Sequence, residues 1–246
     1  MMNWLLIRGL GREKRHWGDF IKMLQQETDG DVLCLDIPGS GDFREMQSPV
    51  KIKGYILFLR DKLPKKQQWS ICAISLGGMI ALEWLSLYPD DFQNAVIINT
   101  SALDVGRWHN RLRFSILHNF IRTLLQKDAI KREEILLKIT TNLQKDITQV
   151  AEKNAKIYKE KPITRKNIIR QLYAASKFRS PQNTIENLCF LSSKEDKLVN
   201  PKCSELLSQK YKKKHFQHLT AGHDLPLDDP KWIIETMKQC NFLKKR

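Results

Sequence analysis

Long apolar runs are missing from these 246 residues. No stretch approaches the roughly 20 apolar residues that a membrane-spanning helix needs. The opening, MMNWLLIRGLG, has six apolar residues before Arg8, with no basic segment ahead of them and no small-residue cleavage site, so it does not read as a secretory signal. The expectation is a soluble, cytoplasmic protein. Cysteine is scarce as well: five residues, an odd number, with no C-x-x-C spacing, which argues against a disulfide framework and against a zinc site. Cys34, Cys72 and Cys189 lie in strand-like runs, where a thiol serves as a small hydrophobe. The 11 glycines never form a full phosphate-cradling fingerprint, and none stands before a Lys-Ser/Thr pair. Neither a metal nor an organic cofactor is expected.

Acidic residues are also few. The chain has 27 Asp and Glu against 42 Lys and Arg, a net charge of +15, which favours an anionic partner or surface. The excess is uneven: residues 102–187 hold 18 Lys or Arg and 8 Asp or Glu, so +10 of the +15 falls in about a third of the chain. No basic stripe is interleaved with aromatics in the manner of a nucleic-acid surface, so nucleic acid is not expected as a partner.

What is present is an alternation of short β-rich runs and helical periods. NWLLIR, DVLCLD, WSICAI and NAVIIN read as strands, with HWGDFIKMLQQE and VKIKGYILFLRDKL as amphipathic helices between them. After Ala102 the alternation stops. From Arg107 to Lys177 only helical periods occur, broken at Pro162 and at Ser180-Pro181. Alternation returns with NLCFLSS, NPKCSELLSQKY, HFQHLT and DPKWIIETMKQC. The pattern predicts an α/β fold, a mostly parallel sheet flanked by helices, with residues 1–101 and 182–246 forming the core and residues 102–181 a helical cap inserted into it.

The third strand ends in ICAISLGGMIALEWL, where Ser75 lies between small residues at the start of a helix. This A-x-S-x-G-G pattern resembles the nucleophile elbow of the α/β-hydrolase superfamily, with Ala73 in place of the first glycine. Small residues are expected there because Ala73 and Gly77 would approach each other across the turn. A nucleophilic serine needs a base, and the base an orienting acid. In the superfamily's chain order these are Asp196, in LSSKEDKLVNP, and His223, in LTAGHDLPLDDP, each in a loop after a predicted strand. LIRGLG resembles the superfamily's H-G-x-G segment and LDIPGSGD its D-x-P-G-x-G loop, and the resemblance implies that the backbone amides of Leu10 and Leu76 form the oxyanion hole. Taken singly, Asp196 reads as a helix cap, His223 as a loop histidine and S-x-G-G as a turn; their joint order carries the resemblance.

The resemblance covers almost the whole chain. Within the superfamily the sequence looks most similar to bacterial pimeloyl-acyl-carrier-protein methyl ester carboxylesterases of biotin synthesis. It implies a serine carboxylesterase acting on an ester of an acyl chain. Arg8 stands where that segment usually has histidine, and reads either as a loop tether or as a charge that would favour an acidic acyl group. An acidic acyl carrier protein would suit a basic cap, and Arg107, Arg111, Arg113, Arg122, Lys131, Arg132 and Arg170 are the candidate contacts. A solvated lysine-rich face is the plainer reading of the same charges. Two rivals remain open: a menaquinone-pathway-type lyase or carbon-carbon bond hydrolase using the same three residues, and a non-catalytic protein that binds a partner through its cap.

Overall fold

A computed structural model describes residues 2–65, 67–105, 111 and 117–243. Six strands form one parallel sheet: β1 (Asn3–Ile7), β2 (Val32–Leu35), β3 (Trp69–Ile74), β4 (Phe92–Ile98), β5 (Leu188–Ser193) and β6 (Lys214–His218), in the spatial order β2-β1-β3-β4-β5-β6. The central strands are buried along almost their whole length, and are mostly apolar, because helices cover both faces. Successive side chains therefore feed two separate cores. Leu5, Ile7, Ile71, Ala73, Ile97 and Phe190 pack on one side with α2 (Ile52–Lys62) and α3 (Leu76–Leu87). Trp4, Leu6, Cys72, Ile74, Val96 and Leu191 pack on the other with α1 (Asp19–Glu27) and the C-terminal helix Pro230–Gln239. None of the five cysteines is in a disulfide, and four of them are buried.

The chain runs outward from β1 to β2, then returns across β1 to β3. This reversal leaves a crevice at the carboxyl ends of β1 and β3, the usual place for a ligand in an open α/β sheet. Between β4 and β5 lie four described helices, α4 (Leu117–Leu125), α5 (Ala129–Thr140), α6 (Ile147–Glu160) and α7 (Arg165–Lys177). Asp128, Asp146 and Thr164 cap α5, α6 and α7, each accepting a hydrogen bond from a first-turn backbone N–H. After β5 come α8 (Lys202–Tyr211), α9 (Leu225–Asp228) and α10 (Pro230–Gln239). No described helix is long and apolar enough to cross a membrane.

Asp104 and Ser180 close the helical segment at its base. Ser180 donates from its backbone N and its Oγ to Asp104, at 2.7 and 2.6 Å, and Lys210 of α8 reaches the same carboxylate at 2.9 Å. Burial works against the Asp104 charge, but the bonds from Ser180 and Lys210 outweigh it and pull the carboxyl down to about 2.

Candidate active site

Ser75 joins β3 directly to α3 with φ 58° and ψ −118°, a conformation that side chains other than glycine rarely adopt. Such strain costs on the order of 1–3 kcal/mol and persists only where the surroundings hold it. Here its N–H donates to Ile98 O at 2.9 Å, and its carbonyl accepts from Thr100 Oγ1 at 2.9 Å and from Met79 N at 3.1 Å. The glycines of the turn have a different reason from the one the sequence implies. A Cβ on Gly77 would stand 2.5 Å from Ile7 O and 2.7 Å from Arg8 O, so the clash is with the end of β1 and not with Ala73. Gly78 faces Thr100 and Ile97 in the same way, with 2.9 Å to Thr100 Cβ. Just past the end of β1, Gly9 lies against the serine itself, 3.1 Å from Ser75 Cβ to an added Cβ.

Asp196 follows β5 and is 1 % exposed. Its Oδ1 accepts from Leu198 N (2.7 Å) and Val199 N (2.9 Å), which leaves Oδ2 for His223 Nδ1 at 2.7 Å. The imidazole is therefore oriented from behind by a carboxylate that the backbone itself holds. Asn99, at φ 46° after β4, donates to the His223 carbonyl at 2.8 Å and accepts from Ser193 N at 2.9 Å, tying the histidine loop to β5.

Ser75 and His223 line one cavity of about 90 Å3, together with Arg8, Gly9, Leu10 and Arg12 after β1, and Thr123, Arg132, Leu136, Ile139, Thr140 and Ile168 from the helical segment. No hydrogen bond joins the hydroxyl to the imidazole. Leu10 is on the cavity wall, and Leu76 is the first residue of α3, where the N–H has no partner within the helix. Among the described residues no group of three or more His, Cys, Asp or Glu side chains is arranged to hold a metal ion.

The basic candidates separate by environment. Arg8 is buried, with its guanidinium on both oxygens of Asp224 (3.0 and 2.6 Å) and 5.1 Å from the Trp17 ring, so its charge is already matched. Burial opposes ionisation of Asp224, yet Arg8 holds this carboxyl below the usual range. Arg111 donates to the Ala175 and Ser176 carbonyls, Arg170 to Ser48 O, and Arg132 is buried against Glu133. Arg122 and Lys131 are exposed. Arg107 and Arg113 lie outside the described residues. Sequence reasoning passes over Arg12, Glu133 and Asn99, and reads Asp228 only as a turn or helix N-terminal charge. Asp228 accepts from Gly222 N (2.6 Å) beside the histidine and from Asn142 N (2.9 Å) after α5, an attachment between loops with no local signature.

The sequence matches the alpha/beta hydrolase fold family over residues 5–230. The chain belongs to this family. No curated protein matches the hydrolase. Among solved structures it is similar to a hydrolase from Pseudomonas aeruginosa PA01 (16 % identity, TM-score 0.76, 97 % of this chain and 89 % of that one). It is similar also to a lipase-esterase related protein from Clostridium acetobutylicum (19 %, TM-score 0.74, 97 % and 93 %). A third is the 2-hydroxy-6-oxo-6-phenylhexa-2,4-dienoate hydrolase from Rhodococcus sp. strain RHA1 (13 %, TM-score 0.72, 98 % and 90 %). At these identities the likeness is one of fold.

Proposed function

We propose that this alpha/beta hydrolase is a serine carboxylesterase that cleaves an acyl ester through Ser75, His223 and Asp196, with residues 102–181 acting as a cap over the site. One observation carries the reading: a strained serine and a histidine oriented by a buried carboxylate face the same cavity. In an unliganded site the nucleophile-base bond is commonly long and tightens once substrate binds. His223 takes the Ser75 proton as the hydroxyl attacks the ester carbonyl, and Asp196 keeps the proton-bearing Nδ1 in place. The Leu10 and Leu76 amides stabilise the oxyanion, the alcohol leaves with the proton from His223, and water then releases the acid from the acyl-enzyme.

The cavity is smaller than the ~150 Å3 apolar void that accepts a benzene ring, which favours a short acyl group. Delivery by an acidic carrier protein, including the pimeloyl methyl ester of biotin synthesis, is the narrower form of this proposal. Of the described cap residues named for it, Arg122 and Lys131 remain as exposed contacts. Product analysis on a panel of alkyl esters, thioesters and β-diketones tests the reaction type. Release of free acid from short alkyl esters is the expected result, and turnover of the β-diketones alone would reassign the chemistry to carbon-carbon cleavage.

A further inference from the structure

The helical segment and the loop after β1 bring two arginines to one carboxylate. Arg12 Nη1 donates to Glu133 Oε2 at 2.5 Å and Arg132 Nη1 to Glu133 Oε1 at 2.6 Å. Glu133 is 1 % exposed, so one buried negative charge serves two buried positive ones and the group keeps a net charge of +1. Arg12 is 9 % exposed, and its Nη2 is buried without a hydrogen-bond partner. Leaving such a charged donor unmatched is costly, so it calls for an acceptor: a water, an ion or a ligand group. Both arginines line the cavity that holds Ser75 and His223.

The neighbouring charges do not supply the missing acceptor. Asp224 is engaged by Arg8 through both oxygens, and Asp196 by His223 and two backbone amides. His16 is half-buried beside this group, and desolvation of its ring together with the charges of Arg12 and Arg8 drives its pKa well below the ordinary histidine value, so it stays neutral. Tyr158 offers only a ring face, 4.1 Å from the Arg132 guanidinium.

We propose that Arg12, backed by Arg132, forms an anion subsite in the acyl pocket, and that the substrate is an ester of a short dicarboxylic acid whose second carboxylate is free. This rests on the esterase reading of Ser75. Length follows from the cavity: at about 90 Å3 it is smaller than the ~150 Å3 void that accepts a benzene ring, so the chain between ester and carboxylate is short. The cavity's apolar wall, Leu136, Ile139 and Ile168, then spans only a few methylenes between ester and carboxylate.

The test compares monoethyl glutarate with ethyl pentanoate, esters of nearly equal length that differ in one carboxylate. Wild-type enzyme should prefer the anionic ester by on the order of 30-fold in kcat/KM, as a buried charge-assisted bond predicts. Arg12→Gln should bring that ratio toward unity, and Arg12→Lys should restore part of it. Equal turnover of the two esters by wild-type enzyme would overturn the subsite without calling Ser75 into question. A second measurement is independent of catalysis: glutarate should bind calorimetrically to Ser75→Ala protein and fail to bind when Arg12→Gln is added. Binding of that kind with no hydrolysis of any ester would keep the anion subsite and sink the esterase; no glutarate binding to the folded Ser75→Ala protein would sink the subsite.

Discussion

The carboxyl edge of the sheet and the helical segment above it hold their polar residues in opposite ways. At the sheet edge, position comes mostly from the backbone: Ser75 is fixed by Ile98 O and Met79 N, and Asp196 by the amides of Leu198 and Val199. In the helical segment, position comes from side chains shared across elements, as in the Arg12–Glu133–Arg132 group and the Asp104–Ser180–Lys210 group. The first kind of site is rigid and suits bond-making; the second is built from charge and suits selection among substrates.

The sharpest break of this comparison is at the nucleophile. Ser75→Ala should lower kcat/KM for a short ester by about 100 000-fold or more while leaving the folded protein intact, measured by initial rates beside thermal unfolding. Asp196→Asn comes next, with a loss on the order of 1000-fold, because the amide can still accept from Leu198 and Val199 but no longer fixes the His223 tautomer. Activity within tenfold of wild type in either variant would place the chemistry elsewhere in the cavity.

Stability separates the two regions next. Gly77→Ala gains about 1 kcal/mol of helix propensity, but the added methyl meets two backbone carbonyls that cannot swing aside. Overpacking of this kind costs about 1–3 kcal/mol and outweighs the gain, so Tm should fall by several degrees. An unchanged Tm would mean that β1 and α3 adjust freely.

The smallest effect concerns the base of the helical segment. The Asp104 carboxyl is depressed to about 2 in the folded protein from an ordinary value of 3.8, so its contribution is complete above pH 4 and is lost as the pH falls towards 2. Asp104→Asn should therefore cost about 1–2 kcal/mol at pH 7 in denaturant unfolding, after allowance for its partial exposure, with the gap from wild type closing below pH 4. A gap that is constant with pH would show that the lost interaction is not the charge.

How much of this was legible in the sequence follows the same division. WSICAI coincides with β3 and NAVIIN overlaps β4 as far as Ile98, because strands buried on both faces are written as mostly apolar runs. Ser75 and Asp196 were legible as candidates because each follows such a strand, whereas His223 follows the half-exposed edge strand β6 and stood out by its A-G-H context. The helical segment's periods were equally plain: ITQVAEKNAKIY lies within α6 and TRKNIIRQLYAASKF extends α7 by one residue at each end. Which side chains those helices turn inward was not. Arg132 and Lys131 are adjacent in sequence, and one is buried on Glu133 while the other is exposed. Arg12 and Glu133 are 121 positions apart, and nothing local to either announces the other. The same holds for Arg8 and Asp224, 216 positions apart, whose pairing agrees with the tether reading of Arg8.

The proposed catalytic unit is tested most directly by treating the folded protein with a fluorophosphonate and mapping the adduct by mass spectrometry. A single phosphonylated residue at Ser75, formed far more slowly in His223→Gln protein, is the predicted result. No adduct, or one on another serine with Ser75 unmodified, would contradict it.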